Sequence, residues 1–235
     1  MNGLLMLFAK SPISGRVKTR LARACGAGFA AEVARALLVD ALGQWGPPPR
    51  GQRCLLGDAP ERRDFPIDIP AGWDYRYQGE GDLGEKLVGA FEAARVAGSD
   101  GAVAIAADAP RIPKSVVLEA LSICTRGEAV VAPAADGGYG LIGLPGGDFE
   151  LRQIFPSSGW GGKRVLAAAR IAISSQGLKL CELEATEDVD TGADLLSLAA
   201  DLRDDGDLRG RLPRLAQLLA NFEGKCPPAT PPNCR

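Results

Sequence analysis

The sequence predicts an α/β fold in which a mostly parallel central sheet carries helices on both faces. Three observations lead there. Short apolar runs, such as residues 3–9 and 102–106, are continuous rather than alternating, as expected of strands buried on both sides. Between such runs lie longer stretches whose apolar residues recur at helical spacing, as in 29–45 and 83–96. Charged residues gather just past the strand ends, where open α/β sheets bind their ligands.

In chain order, residues 3–9 form the first strand and a cationic loop follows it. Residues 29–45 form a helix that Gly46 and the prolines after it bring to an end. Residues 52–56 and 73–78 are strands, the second marked by Tyr75 and Tyr77. Residues 83–96 form a helix with Leu87, Val88, Phe91 and Ala94 on one side. The strand 102–106 leads to the carboxylate of Asp108, and Pro113 opens a helix over 115–124. Two strands, 130–133 and 139–144, flank the turn Ala134-Ala135-Asp136-Gly137-Gly138. A helix over 162–173 and a strand over 178–183 come next. Thr191-Gly192-Ala193-Asp194 has the spacing of a capping box, with Asp in place of the usual Glu, and opens a helix to about Arg203. The last helix covers 212–222. No repeat or linker interrupts residues 1–223, which are expected to form a single domain. The Pro-rich stretch 224–235 is expected to be a disordered tail.

Composition excludes several classes of chemistry. The 235 residues contain no histidine, which rules out Ser-His-Asp and Cys-His catalysis, H-E-x-x-H zinc sites and a histidine base. The six cysteines form no C-x-x-C pair, so zinc ribbons and redox dithiols have no support; Cys124 and Cys181 are expected to be core thiols. A net charge of -2 argues against nucleic acid as a partner. No apolar run is long enough for a membrane span, and the N-terminal one lacks the basic start of a signal peptide, so a cytoplasmic protein is expected.

Against this acidic background Lys10, Arg16, Lys18 and Arg20 crowd into one loop around Gly15. A strand, a loop with free N–H groups and a helix start together suit an anion such as phosphate. Asp108, Asp136 and Asp190 follow other strands of the sheet, so carboxylates and cations converge on one edge. Carboxylates facing cations leave room for a metal–diphosphate between them: Mg²⁺ takes one or two protein carboxylates, with phosphate oxygens and water completing its shell. Taken singly, each feature has a plainer role. Asp108-Ala-Pro can be a strand-end turn, Asp136-Gly137 a hairpin turn, Asp190-Thr191 the start of a capped helix, and the cations a solvated surface.

These residues carry a resemblance. Phe8-Ala-Lys-Ser-Pro-Ile-Ser-Gly-Arg-Val-Lys-Thr-Arg-Leu21, Gln78-Gly-Glu-Gly-Asp-Leu-Gly-Glu85, Asp108-Ala-Pro110, Asp136-Gly-Gly-Tyr-Gly-Leu-Ile-Gly-Leu144 and Asp188-Val-Asp-Thr191 with Asp194-Leu195 occur in that order across roughly residues 3–200. Together they resemble the nucleotide-diphospho-sugar transferase (GT-A) superfamily. More closely, they are similar to a bacterial glycosyltransferase-like family associated with radical-SAM enzymes and arsenosugar biosynthesis, akin to the guanylyltransferases of coenzyme F420 assembly.

The resemblance implies a GT-A-like three-layer sandwich and roles by position. Lys10, Gly15, Arg16, Lys18 and Arg20 would hold nucleotide phosphates, with Lys18 and Arg20 also acting on the departing group. Gln78, Leu83 and Gly84 would receive the base. Asp108 and Asp190 would bind Mg²⁺ or Mn²⁺. Asp136, Gly137, Gly138, Tyr139 and Trp160 would face sugar or acceptor, with Asp136 as the acceptor base. Lys86 stands where the resemblance leads one to expect arginine, and Gly161-Gly162 where it leads one to expect hydroxyl residues.

The expected activity is metal-dependent glycosyl transfer from a nucleoside diphosphate sugar to a small-molecule hydroxyl. Nucleotidyl transfer from an NTP to a phosphorylated acceptor, releasing pyrophosphate, needs nearly the same charges; the single glycine of the basic loop favours the former. A non-catalytic nucleotide-binding protein is the third reading.

Overall fold

The computed structural model describes residues 2–46, 52–135, 137–156 and 164–222. Its centre is a seven-stranded sheet of order β3-β2-β1-β4-β6-β5-β7. The strands are β1 (Gly3–Phe8), β2 (Gln52–Gly57), β3 (Asp74–Tyr77), β4 (Gly101–Ala106), β5 (Ala129–Pro133), β6 (Tyr139–Pro145) and β7 (Leu180–Glu182). β6 pairs antiparallel with both β4 and β5, and the other pairings are parallel. The sheet is therefore mostly parallel, as the sequence predicts. The reversed β6 returns from a hairpin, so Ala134, Ala135, Gly137 and Gly138 lie on the same edge as the carboxyl ends of the other strands.

Alternate residues of each central strand enter different cores. Leu5 and Leu7 of β1 and Val103 and Ile105 of β4 meet helix α2 (Ala27–Gln44) through Leu38 and Leu42, and helix α4 (Lys114–Thr125) through Val117 and Ala120. Leu4, Met6, Ala102 and Ala104 face the opposite way, toward α3 (Leu83–Val96), α5 (Leu151–Ile154) and α6 (Val165–Ser175). Burial on both faces is why these strands read as unbroken apolar runs. Close helix–sheet approach also requires Gly143, where a Cβ would lie 2.6 Å from the Cys124 sulfur.

A third core explains why α2 is apolar around most of its girth. Its Phe29, Val33 and Leu37 turn away from the sheet toward α1 (Thr19–Cys25), α7 (Gly192–Asp204), α8 (Gly206–Arg211) and α9 (Pro213–Phe222), meeting Leu21, Leu198, Leu208 and Leu215. Asp40 of α2, 3% exposed, accepts the N–H groups of Arg214 (3.0 Å) and Leu215 (2.9 Å) and so caps α9 from outside.

Several sequence expectations shift by a residue or two at element ends. Three short helices, α1, α5 and α8, were not foreseen, and Arg20 lies within α1 rather than in the loop. Cys124 is fully buried as expected, but Cys181 is only partly so, and Cys54 is a second buried thiol; the described cysteines form no disulfide with one another. The disorder expected of 224–235 lies outside the described residues. No helix among them is long and apolar enough to cross a membrane.

Candidate active site at the carboxyl edge of the sheet

The loop after β1 is fixed at its base. Ser11, buried, donates its N–H to the Asp58 carboxylate at 2.7 Å and its hydroxyl to the same oxygen, tying the loop to the end of β2. Asp58 follows β2 as Asp108 follows β4, a positional parallel readable in the sequence but not drawn from it. The loop then reaches Lys18, whose backbone takes φ 49°, ψ 46°. Among the described residues it is the one non-glycine with positive φ. Such a conformation is costly for a residue with a Cβ and persists where surrounding contacts hold it.

The Lys18 carbonyl accepts the Ala22 N–H at 2.8 Å, and its side chain meets two carboxylates. Lys18 Nζ donates to Asp108 Oδ2 at 2.6 Å and Asp190 Oδ1 at 2.8 Å. The lysine side chain is 6% exposed, whereas the aspartates are 32% and 35% exposed. Burial penalises the ammonium, but attraction from Asp108 and Asp190 outweighs it and holds the Lys18 pKa above its ordinary value. Arg20, 65% exposed, lies 3.7 Å from the other oxygen of Asp190. The gap expected between cations and carboxylates is thus closed at Lys18.

The aspartates are held independently of the lysine. Val189 N–H donates to the Asp108 carbonyl at 3.0 Å, joining the two segments that carry them. Asp194 Oδ2 accepts N–H groups from Thr191 (2.6 Å) and Asp190 (2.9 Å). The capping box expected at Thr191 therefore forms and also fixes the backbone of Asp190. Arg111 spans the same region, meeting Asp201 and Ser197 on α7 and Glu187 beside the second aspartate. A third carboxylate, Asp188, is half-buried; burial first, then repulsion from Asp190 and Asp108, hold its pKa above the usual carboxylate value.

Lys18, Asp108 and Asp190 border a cleft of about 330 Å³ that Lys10, Gln78 and Leu83 also line. Phe8, Val17, Ala34 and Leu37 make its apolar wall, which the sequence did not mark as part of a site. Gln78 Nε2 is buried there without a hydrogen-bond partner, a donor available to a ligand acceptor. Gly79 and Gly81 take φ of 85° and 88° in the turn between Gln78 and α3. Asp82 and Glu85 cap α3 reciprocally, which leaves Leu83 partly exposed at the cleft and Gly84 buried in the first helical turn.

Other predicted residues lie away from this cleft lining. Gly15 and Arg16 are exposed on the loop, and Arg20 turns toward Asp190. Gly137 and Gly138 form the tight turn of the β5–β6 hairpin, where Gly137 N–H donates to the Ala134 carbonyl at 3.0 Å and Gly138 accepts from Ala134 at 3.0 Å. Tyr139 packs beside the core under α3, and burial raises its pKa well above the usual range. Asp136 and Trp160 lie outside the described residues.

Two carboxylates from separate segments, partly open to the cleft and already gripping a cation, suit a hard divalent ion that shares its shell with substrate oxygens. Among the described residues no group of three or more Asp, Glu or Cys side chains offers a closed metal cage. Asp108 and Asp190 are the pair that the sequence reading assigns to Mg²⁺ or Mn²⁺, and Lys18 Nζ lies between them here.

Residues 49–162 match the family model described as an uncharacterized protein conserved in bacteria (DUF2064). The crystal structure of a candidate nucleotide-diphospho-sugar transferase from Desulfovibrio desulfuricans G20 is similar over 96% of this chain and 97% of that one, with a TM-score of 0.85 and 28% identity. A cytidylyltransferase from Leptospira borgpetersenii serovar Hardjo-bovis is similar over 98% of each chain, at TM-score 0.55 and 13% identity. 4-Diphosphocytidyl-2C-methyl-D-erythritol synthase from Anaerococcus prevotii DSM 20548 covers 86% of this chain and 98% of its own, at TM-score 0.51 and 11% identity. No functionally curated protein matches the chain. The fold is that of the nucleotide-diphospho-sugar transferases, and the two more distant structures share the fold alone.

Proposed function

We propose that the protein is a metal-dependent transferase acting on a nucleoside diphosphate sugar, passing the glycosyl group to a small-molecule hydroxyl. The observation that carries this reading is the convergence of Lys18, Asp108 and Asp190 at the mouth of a cleft also lined by Lys10 and Gln78. The likeness to the Desulfovibrio protein along nearly the whole chain supports the same class. The narrower resemblance to the arsenosugar-associated family and the F420 guanylyltransferases rests on sequence motifs.

In this reading Lys10 and Lys18 take the diphosphate, and Gln78 and Leu83 receive the base. Arg16 and Arg20, both exposed on the rim, add positive field around the phosphates. Asp108 and Asp190 would hold Mg²⁺ or Mn²⁺, which when bound would supply positive charge to balance the departing diphosphate. Lys18 brings a positive charge to the diphosphate, where it stabilises developing negative charge. Asp136 takes the proton of the attacking hydroxyl, a role assigned on the sequence resemblance. No histidine is needed for any of these roles.

Product identity tests the proposal. Purified protein with Mg²⁺ is given a panel of sugar nucleotides, and a parallel panel of NTPs with sugar phosphates. The expected result is free nucleoside diphosphate released from a sugar nucleotide, and its loss in Asp108→Asn. Pyrophosphate released from an NTP would instead make the protein a nucleotidyltransferase. Binding without turnover in either panel would leave a nucleotide-binding protein.

A further inference from the structure

Lys18 stands where the proposed function needs a metal. Its Nζ lies within 2.8 Å of both aspartates that would ligate the ion, and its side chain is 6% exposed. An ammonium and a divalent cation compete for these oxygens, because like charges would lie within a few ångströms of each other between the same two carboxylates. The lysine also has somewhere else to go. It lines the same cleft as Lys10, and it sits at the junction where loop passes into α1. Its backbone is left-handed, a conformation costly for a residue with a Cβ. A polyanion in the cleft offers the ammonium an equivalent partner.

We propose that Lys18 and the divalent cation are alternative occupants of the Asp108–Asp190 pair, exchanged when a diphosphate in the cleft draws the lysine away. The inference rests on the reading of that pair as the cation site. Two consequences follow. The free protein holds its two carboxylates in register without a metal. Metal and diphosphate also bind with positive coupling, since each removes an obstacle to the other. A bare metal is resisted by the lysine, and a bare polyanion must pull the lysine from two carboxylates left unpaired.

The test is Mn²⁺ retention by the protein, read by electron paramagnetic resonance after equilibrium dialysis, with Mn²⁺ alone and with inorganic pyrophosphate. Wild-type protein is expected to retain Mn²⁺ weakly alone and about tenfold more tightly with pyrophosphate. Lys18→Met is expected to bind Mn²⁺ alone about tenfold more tightly than wild type, and Lys18→Met with Asp108→Asn to lose that gain. The wild-type arm needs no variant to fold, and urea midpoints report whether the variants do. If wild type holds Mn²⁺ equally with and without pyrophosphate, and as tightly as Lys18→Met, the exchange is wrong. The pair would remain the cation site provided that Asp108→Asn abolishes retention. If no form retains Mn²⁺ under either condition, the exchange and the metal assignment fall together.

Discussion

The backbone N–H of Val189 donates to the carbonyl oxygen of Asp108 at 3.0 Å, so the segments bearing the two candidate ligands are joined beneath their side chains. This bond couples the end of β4 to the chain that follows β7, strands separated in the sheet by β6 and β5. The backbones that carry the two carboxylates are thus joined directly, while Lys18 bridges the side chains. Arg111 reinforces the join from the side, with Nη2 to Asp201 at 2.5 Å and Nη1 to Glu187 at 3.4 Å.

Arg111→Ala is expected to loosen this join and lower stability by about 1–2 kcal/mol, the range for charge-assisted bonds discounted for partial exposure. Urea unfolding of the variant against wild type measures it. An unchanged midpoint would show that the backbone bond suffices.

Asp40→Ala removes the carboxylate that caps α9 and leaves the Arg214 and Leu215 N–H groups without their acceptor. The expected loss is about 1–3 kcal/mol. Asp40 also carries a pH signature. Burial, partly offset by the two N–H groups and by Arg214, raises its pKa above the ordinary 3.8. Between the ordinary and the raised value the native state binds more protons than the unfolded chain, so this group's contribution to stability falls as pH rises through that window. Asp40→Asn is expected to remove that decline from the stability–pH curve measured upward from pH 4. A decline of the same size in the variant would assign it elsewhere.

The buried thiols give a chemical check on the core. Burial pushes Cys54 up to about 11 and Cys124 up to about 12. Iodoacetamide at pH 8 meets almost no thiolate at either. Peptide mapping of native protein is expected to show Cys54 and Cys124 unmodified while Cys25, partly exposed, reacts; after denaturation all three should react. Early labelling of Cys124 would mean that α4 does not pack on the sheet as described.

Much of the fold was legible because the sheet is buried on both sides and its central strands are accordingly apolar throughout. The helix over Leu83–Val96 is legible to the residue from its apolar face, and the structure adds the reciprocal cap of Asp82 and Glu85. The short helices were not: α1 buries only Leu21 and α8 only Leu208, too few residues to show a period. For the site, strand-end position was enough to pair the segments of Lys18, Asp108 and Asp190. What could not be read was which of four loop cations turns inward. Lys18 does so from a left-handed backbone, a conformation for which lysine has no preference. The apolar cleft wall was hidden for another reason: Ala34 and Leu37 lie on a helix buried around most of its surface, so no sequence pattern marks one face as lining a cleft.

The most direct test of the central claim is calorimetric titration of a panel of nucleoside diphosphates into the protein with Mg²⁺, repeated with Lys18→Met, with Asp108→Asn and with EDTA. At least one nucleotide should bind wild type and lose about tenfold or more in affinity, roughly 1.4 kcal/mol, under each of the three changes. Binding that persists unaltered through all three would contradict the site, because the ammonium and the carboxylates would then have no part in holding the diphosphate.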